Sequence, residues 1–321
     1  MGQEDSGREV APGAKVLPNA IPLYRFFSPR YWLIWCLLGL LRLLAQLPYR
    51  AQLALGRRVG RLAMCFMRGR RHNANCNVSL CMPELDAPTR RVLVREHFES
   101  LGIALFEIAM AWWTPFPRLH RMARIEGTEH LDAARKLGRG VLLLPVHCTT
   151  MELAGALLHR VAVPCIVYEQ FSNPLVEELM RRYRRRAGAR LIRNTRPLAA
   201  VRALQANGVV WYPSDQTYPP KNRMLAPFFG VPALTNTTPM RIVKLTGASV
   251  LPYFVVRVAD GSGYRVTFGP ALEEFAVGDP ILDAARLNRL VERQVCMAPA
   301  QYLWIHRRFR ARGPEFPDCY A

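Results

Sequence analysis

Apolar residues fall in two kinds of run along this chain. Short, unbroken runs such as Val141–Val146 (VLLLPV), Cys165–Tyr168 and Gly208–Tyr212 are too short for helices and read as buried strands. Longer stretches with helical spacing, 51–67, 88–113, 130–137, 174–190, 197–206, 237–246 and 282–297, separate them. Further strands are expected at 124–126, 249–258 and 263–268. Strands alternating with helices predict an α/β class, with a mixed central sheet flanked by helices. Residues 1–25 read as a flexible tail and 26–70 as membrane-anchoring and amphipathic helices. Residues 71–321 read as one α/β domain, since no linker divides them.

The stretch Tyr31–Leu47 (YWLIWCLLGLLRLLAQL) is apolar or aromatic except at Gly39, Arg42 and Gln46. It is expected to be an N-terminal membrane helix at the short limit for a span. Its shortness and Arg42 fit a helix lying in the interface equally, and a buried core helix is the plain alternative. Arg50, Arg57, Arg58, Arg61, Arg68, Arg70 and Arg71 follow it, which places the remaining chain on the cytoplasmic side.

Charge adds a second theme. The formal charge is +20, and only four of the 44 basic residues are Lys (Lys15, Lys136, Lys221, Lys244). Arginine binds phosphate and carboxylate bidentately, so an anionic partner is implied. The run Arg181, Arg182, Arg184, Arg185, Arg186 and Arg190 is dense enough to suggest anion docking, against a merely solvated face. The eight cysteines form no zinc spacing and are expected to be reduced thiols. No metal site, P-loop or dinucleotide motif is present, so no cofactor is expected.

His147 and Glu152 carry the candidate chemistry, an H-x4-E spacing at a strand-to-helix junction. Within one helix, five residues place two side chains about 140° apart. The two can meet only if His147 stays in the loop and Glu152 opens the helix. Glu152 would then orient the imidazole, leaving its second nitrogen to deprotonate an alcohol. The structural alternative is a capping box, Thr149 with Glu152. Cys148 reads as a buried, inert thiol rather than a nucleophile.

Several blocks resemble one family: FSPRYWL at 27–33, FES at 98–100, AWW at 111–113, and Tyr168 with Asn173-Pro-Leu. Trp211-Tyr-Pro-Ser-Asp215-Gln, the PFFGV loop at 227–231 and MAPAQYLWIHRRF at 297–309 complete the set. Together with His147-x4-Glu152 they resemble the glycerolipid acyltransferase superfamily, in its branch of Kdo(2)-lipid IV(A) lauroyl and myristoyl transferases. The resemblance implies acyl transfer from acyl carrier protein to a 3-hydroxyacyl hydroxyl of a phosphorylated glycolipid at the inner membrane. His147 and Glu152 would be catalytic; Arg184, Tyr168, Asn173, Arg193, Asp215, Lys221 and Arg223 would contact substrate. Tyr168-Glu-Gln-Phe-Ser-Asn departs from the family's usual Tyr-Arg-Pro-x-x-Asn, so one basic contact is missing. An acidic donor, a phosphorylated acceptor and an anionic membrane account for the charge better than nucleic acid does. Another lipid acceptor, or a non-catalytic basic membrane adaptor, are the competing readings.

Overall fold

A computed structural model describes residues 20–216 and 222–321. Four helices come first: α1 (Trp32–Leu44), α2 (Tyr49–Phe66), α3 (Arg68–Cys81) and α4 (Ala87–Trp113). After α5 (Phe116–Arg121) the chain alternates: β1 (Ala123–Glu126), α6 (Thr128–Lys136), β2 (Val141–Leu144), α7 (Met151–Leu158), β3 (Pro164–Tyr168), α8 (Pro174–Arg186), β4 (Arg190–Arg193), α9 (Pro197–Gln205) and β5 (Val209–Trp211). A hairpin of β6 (Arg223–Phe228) and β7 (Val231–Asn236) leads to α10 (Thr238–Thr246), β8 (Ser249–Arg257), β9 (Tyr264–Phe268) and α11 (Pro280–Met297).

The sheet order is β1-β9-β8-β2-β5-β3-β4. All neighbours run parallel except the β8–β9 pair, so the sheet is mixed, as the sequence pattern predicts. β2 is central, and its four residues are at most 1% exposed. Successive side chains point to opposite faces. Val141 and Leu143 pack with Leu153 and Leu157 of α7, and Leu142 and Leu144 pack with Leu204, Ile242 and Leu287 of α9, α10 and α11. A strand covered on both faces reads as an unbroken apolar run. Burial of each such leucine stabilises the fold by about 1.5–3 kcal/mol.

The N-terminal membrane helix is corrected by this structure. α1 has 13 residues, about 20 Å at 1.5 Å per residue, against a hydrocarbon core of about 30 Å. No helix among the described residues is long and apolar enough to cross a membrane. The run breaks because Ala45 and Gln46 close the helix and Pro48 caps the next one. Trp35, Ile34 and Leu38 turn inward against the core, while Trp32, Leu33, Leu37, Leu40 and Leu43 stay exposed. Residues 20–26 are tied down: Leu23–Phe26 form a 3-10 turn, Trp35 Nε1 donates to Phe26 O at 2.8 Å, and Arg182 Nη2 donates to Ile21 O at 2.7 Å. The rest of the expected tail, 1–19, lies outside the described residues.

α2 crosses α4 at very short range. Gly56 and Gly60 face Phe98, Gly102 and Ile103, and a Cβ on Gly60 or Gly102 would overlap backbone of the facing helix. Behind this crossing lies a buried ion pair, Arg257 with Glu107 at 2.6 Å, joined by the Tyr264 hydroxyl at 3.0 Å. Arg257 also donates to Ser100 Oγ, which meets Thr149 Oγ1 at 2.7 Å. That chain of contacts reaches the loop after β2.

Candidate active site

Parallel neighbours end on the same edge of a sheet, and α/β proteins place ligands there. The loops after β2 and β5 leave that edge side by side because the two strands pair directly. One loop carries His147 and the other Asp215. His147 Nδ1 and Asp215 Oδ1 are 2.6 Å apart, and the His147 backbone N–H donates to the same carboxylate at 3.1 and 3.2 Å. Asp215 is 2% exposed. Burial pushes its carboxyl up, but the charge and hydrogen bonds of His147 outweigh this and hold it below the usual range. With Nδ1 committed, Nε2 is the nitrogen free of any hydrogen bond among the described residues.

The expected bond between His147 and Glu152 is therefore replaced by His147–Asp215. Glu152 is taken by Arg184 instead: Nη2 donates to Oε2 at 2.9 Å and Nε to both oxygens at 3.2 and 3.3 Å. Both side chains are nearly buried, and Arg184 lies over the Tyr168 ring, 5.6 Å from its centre. Arg184 Nη1 is buried with no hydrogen-bond partner among the described residues. The capping box does not form either. Thr150 caps α7 without using its side chain, and its hydroxyl donates to Val255 O at 3.1 Å. Cys148 is half-buried, and desolvation pushes its thiol up to about 11.

The remaining predicted site residues separate. Tyr168 and Arg193 end the adjacent strands β3 and β4 in register. The Tyr168 hydroxyl donates to Glu177 at 2.8 Å, and Asn173 caps α8 by accepting from Leu175 and Val176. Asn173 thus has a sufficient structural task. Arg223 opens β6, opposite Asn236. Lys221 lies outside the described residues. Part of the arginine run is engaged within the fold: Arg181 and Arg182 pair with Glu178, Arg184 pairs with Glu152, and Arg186 donates to Trp112 O and Thr114 O.

The sequence reading missed how the chain's end closes the site. The segment from Pro299 to Phe309 crosses the loop after β2. Thr149 N donates to Gln301 O at 2.8 Å, and Leu303 N to His147 O at 3.0 Å. Tyr302 lies beside Asp215, where burial and that charge keep its phenol protonated. His306 is pushed down to about 4 by burial, with His147 adding to the effect. Two small cavities flank the loop, about 30 Å³ beside Cys148 and about 20 Å³ beside Glu152 and Arg184. A wider cavity, about 710 Å³, lies between residues 272–275 and α11, with Phe229 at its edge, and shares no residue with the site.

One buried and one half-buried imidazole set an acid limit on the fold. Burial lowers His97 and His306 to about 4, against about 6.5 unfolded. The unfolded chain binds more protons between those values, so stability is full above about pH 6.5 and lost as pH falls toward 4. Each should cost roughly 2 kcal/mol between pH 7 and pH 5. Urea unfolding at the two pH values checks this; a His97→Asn variant should show a shallower loss than the wild type.

A whole-chain comparison decides the family. The model of bacterial lipid A biosynthesis acyltransferases matches residues 23–311. The chain belongs to this family. It is 38% identical to the lipid A biosynthesis palmitoleoyltransferase of Escherichia coli K12 over 288 residues, covering 89% of this chain and 94% of that protein. The lauroyltransferase of the same organism is 36% identical over 294 residues, covering 91% and 96%. The myristoyltransferase is 26% identical over 293 residues, covering 90% of each chain. This lipid A acyltransferase family member is accordingly an acyltransferase.

Proposed function

We propose that the protein transfers a fatty acyl chain from an acyl–acyl carrier protein thioester to a 3-hydroxyacyl hydroxyl of Kdo(2)-lipid IV(A). The observation that carries this reading is the His147–Asp215 pair at the sheet edge, with the nearly buried Arg184–Glu152 pair at the start of the following helix α7. His147 Nε2 takes the proton of the acceptor hydroxyl, and the oxygen attacks the thioester carbonyl. Asp215 holds the ring's orientation and stabilises the imidazolium. The oxyanion falls to Arg184, whose Nη1 has no other partner described. Glu152 then acts through Arg184, by fixing its guanidinium. When the tetrahedral intermediate collapses, the C–S bond breaks and the imidazolium returns its proton to the thiolate. Tyr168, Arg193 and Arg223 are assigned to the phosphorylated acceptor. Acyl–acyl carrier protein and acceptor incubated with purified protein should yield an acceptor heavier by one acyl group in mass spectrometry. Transfer to a lysophospholipid but not to this acceptor would overturn the assignment.

The same reading puts residues 26–70 against the cytoplasmic face of the inner membrane and assigns 71–321 to catalysis. The exposed face of α1, continued by Leu62, Phe66 and Met67, supplies apolar area. Arg57, Arg58 and Arg61 of α2 supply charge, each contributing about 1 kcal/mol near an anionic surface. Changing Leu33, Leu37 and Leu40 together to Glu removes about 1 kcal/mol of partial burial per site, so binding to anionic vesicles should fall roughly 100-fold. The melting temperature should not change, because all three are exposed. Unchanged co-flotation with vesicles would move the membrane face elsewhere.

A further inference from the structure

Eight free cysteines are present, and two of them meet across a long sequence separation. Cys76, on α3, donates its thiol to the carbonyl of Cys319 at 2.7 Å. Both are half-buried and therefore within reach of a small reagent. His72, one turn earlier on α3, holds Nε2 3.5 Å from Cys76 Sγ, where it can accept the thiol proton.

The pair is held by its surroundings. Tyr320 follows Cys319, and its hydroxyl donates to Asn77 Oδ1 while accepting from Phe309 N at 3.0 Å. Asn77 follows Cys76, and its amide donates to Trp304 O and His306 O, each at 2.6 Å. Adjacent residues of α3 thus grip both the end of the C-terminal segment and the part that closes over His147. These anchors, with the Cys76 thiol on the Cys319 carbonyl, keep the two cysteines together without help from a covalent bond.

We propose that Cys76 and Cys319 form an oxidisable dithiol, converted by a small-molecule disulfide into an intramolecular bridge that fastens the C-terminal segment to α3. His72 takes the Cys76 proton, and the thiolate attacks one sulfur of the oxidant. A mixed disulfide forms and one small thiolate leaves. The Cys319 thiolate then attacks Cys76 Sγ, forming the bridge and releasing the second thiolate. The two protein protons end on the two released thiols, and the small disulfide is the species reduced. The inference is independent of which acyl donor and acceptor are used.

The test uses full-length protein incubated with oxidised glutathione at pH 8, then blocked with N-ethylmaleimide and digested. Mass spectrometry should find the peptide of Cys76 joined to that of Cys319. The melting temperature should rise by roughly 5 °C, and dithiothreitol should reverse it. Cys319→Ser and, separately, Cys76→Ser should each lose both the joined peptide and the rise. If glutathione is found on the exposed Cys36, Cys65 or Cys296 while the joined peptide is absent, the oxidant reached the protein and the proposal fails. An equal rise in melting temperature in either serine variant overturns it too.

Discussion

His147→Ala should lower acyl transfer by roughly 10³- to 10⁴-fold, the upper range for losing a positioned general base. Asp215→Asn should cost nearly as much, although Asp215 need not touch substrate. Its carboxylate is the acceptor for Nδ1 and lies 2.6 Å from it. An amide could bind the wrong tautomer of the ring, and it could not stabilise an imidazolium. Fold loss is the competing explanation, since Asp215 is buried. The His147→Ala variant controls for it, because the backbone N–H of residue 147 still donates to the carboxylate. Single-turnover rates on purified variants, with circular dichroism and melting curves, separate the two effects. A folded His147→Ala protein turning over within ten-fold of the wild type would remove His147 from the chemistry.

Arg184→Ala should reduce kcat/KM by roughly 30- to 1,000-fold, as expected for one lost charged donor to an oxyanion. It should also destabilise the fold by about 3–5 kcal/mol, because Glu152 is left buried and unpaired. Removing both partners, Arg184→Ala with Glu152→Ala, should recover part of that stability but none of the rate. Glu152→Gln keeps one acceptor for Arg184 and should slow the reaction less than Arg184→Ala does. Arg182→Ala removes contacts to Glu178 and Ile21 O from a side chain that is 36% exposed. Its kcat/KM should stay within two-fold of the wild type. Steady-state kinetics with urea unfolding on all four variants measure rate and stability together. If Arg182→Ala slows the enzyme as much as Arg184→Ala, the oxyanion assignment is wrong.

Local signals made much of this fold legible. β2, α4, β8 and α11 follow from apolar runs and helical spacing, with ends shifted by two residues or fewer. α3 was not visible, because RGRRHNANCNVSLC has no apolar period. It is held by the amides of Asn73 and Asn77 reaching Ile305, Trp304 and His306. The β6–β7 hairpin read as a loop, since Pro227 and Pro232 argue against a strand. At the candidate site, H-x4-E suggested a contact between His147 and Glu152, and the structure pairs His147 with Asp215 and Glu152 with Arg184 instead. Spacing along a chain shows what can meet within a loop. It does not show that β5 lies beside β2 and brings in a carboxylate from position 215. The partners of several arginines in the run were illegible for a related reason. Its density is a sequence fact, but its acceptors, the carbonyls of Trp112 and Thr114 and the carboxylate of Glu178, are supplied by other turns of the fold.

The C-terminal segment that closes over His147 also sets a schedule. β2 and its loop leave the ribosome well before Trp304 is made, and chains grow at about 5–20 residues per second. Helices α1 to α4 are complete earlier still. For roughly 8–30 s the nascent chain therefore holds His147 on an unfinished loop, with His147 O and Thr149 N still waiting for Leu303 and Gln301. Whatever surface the first helices reach, they reach it as part of a protein whose loop after β2 is still uncovered.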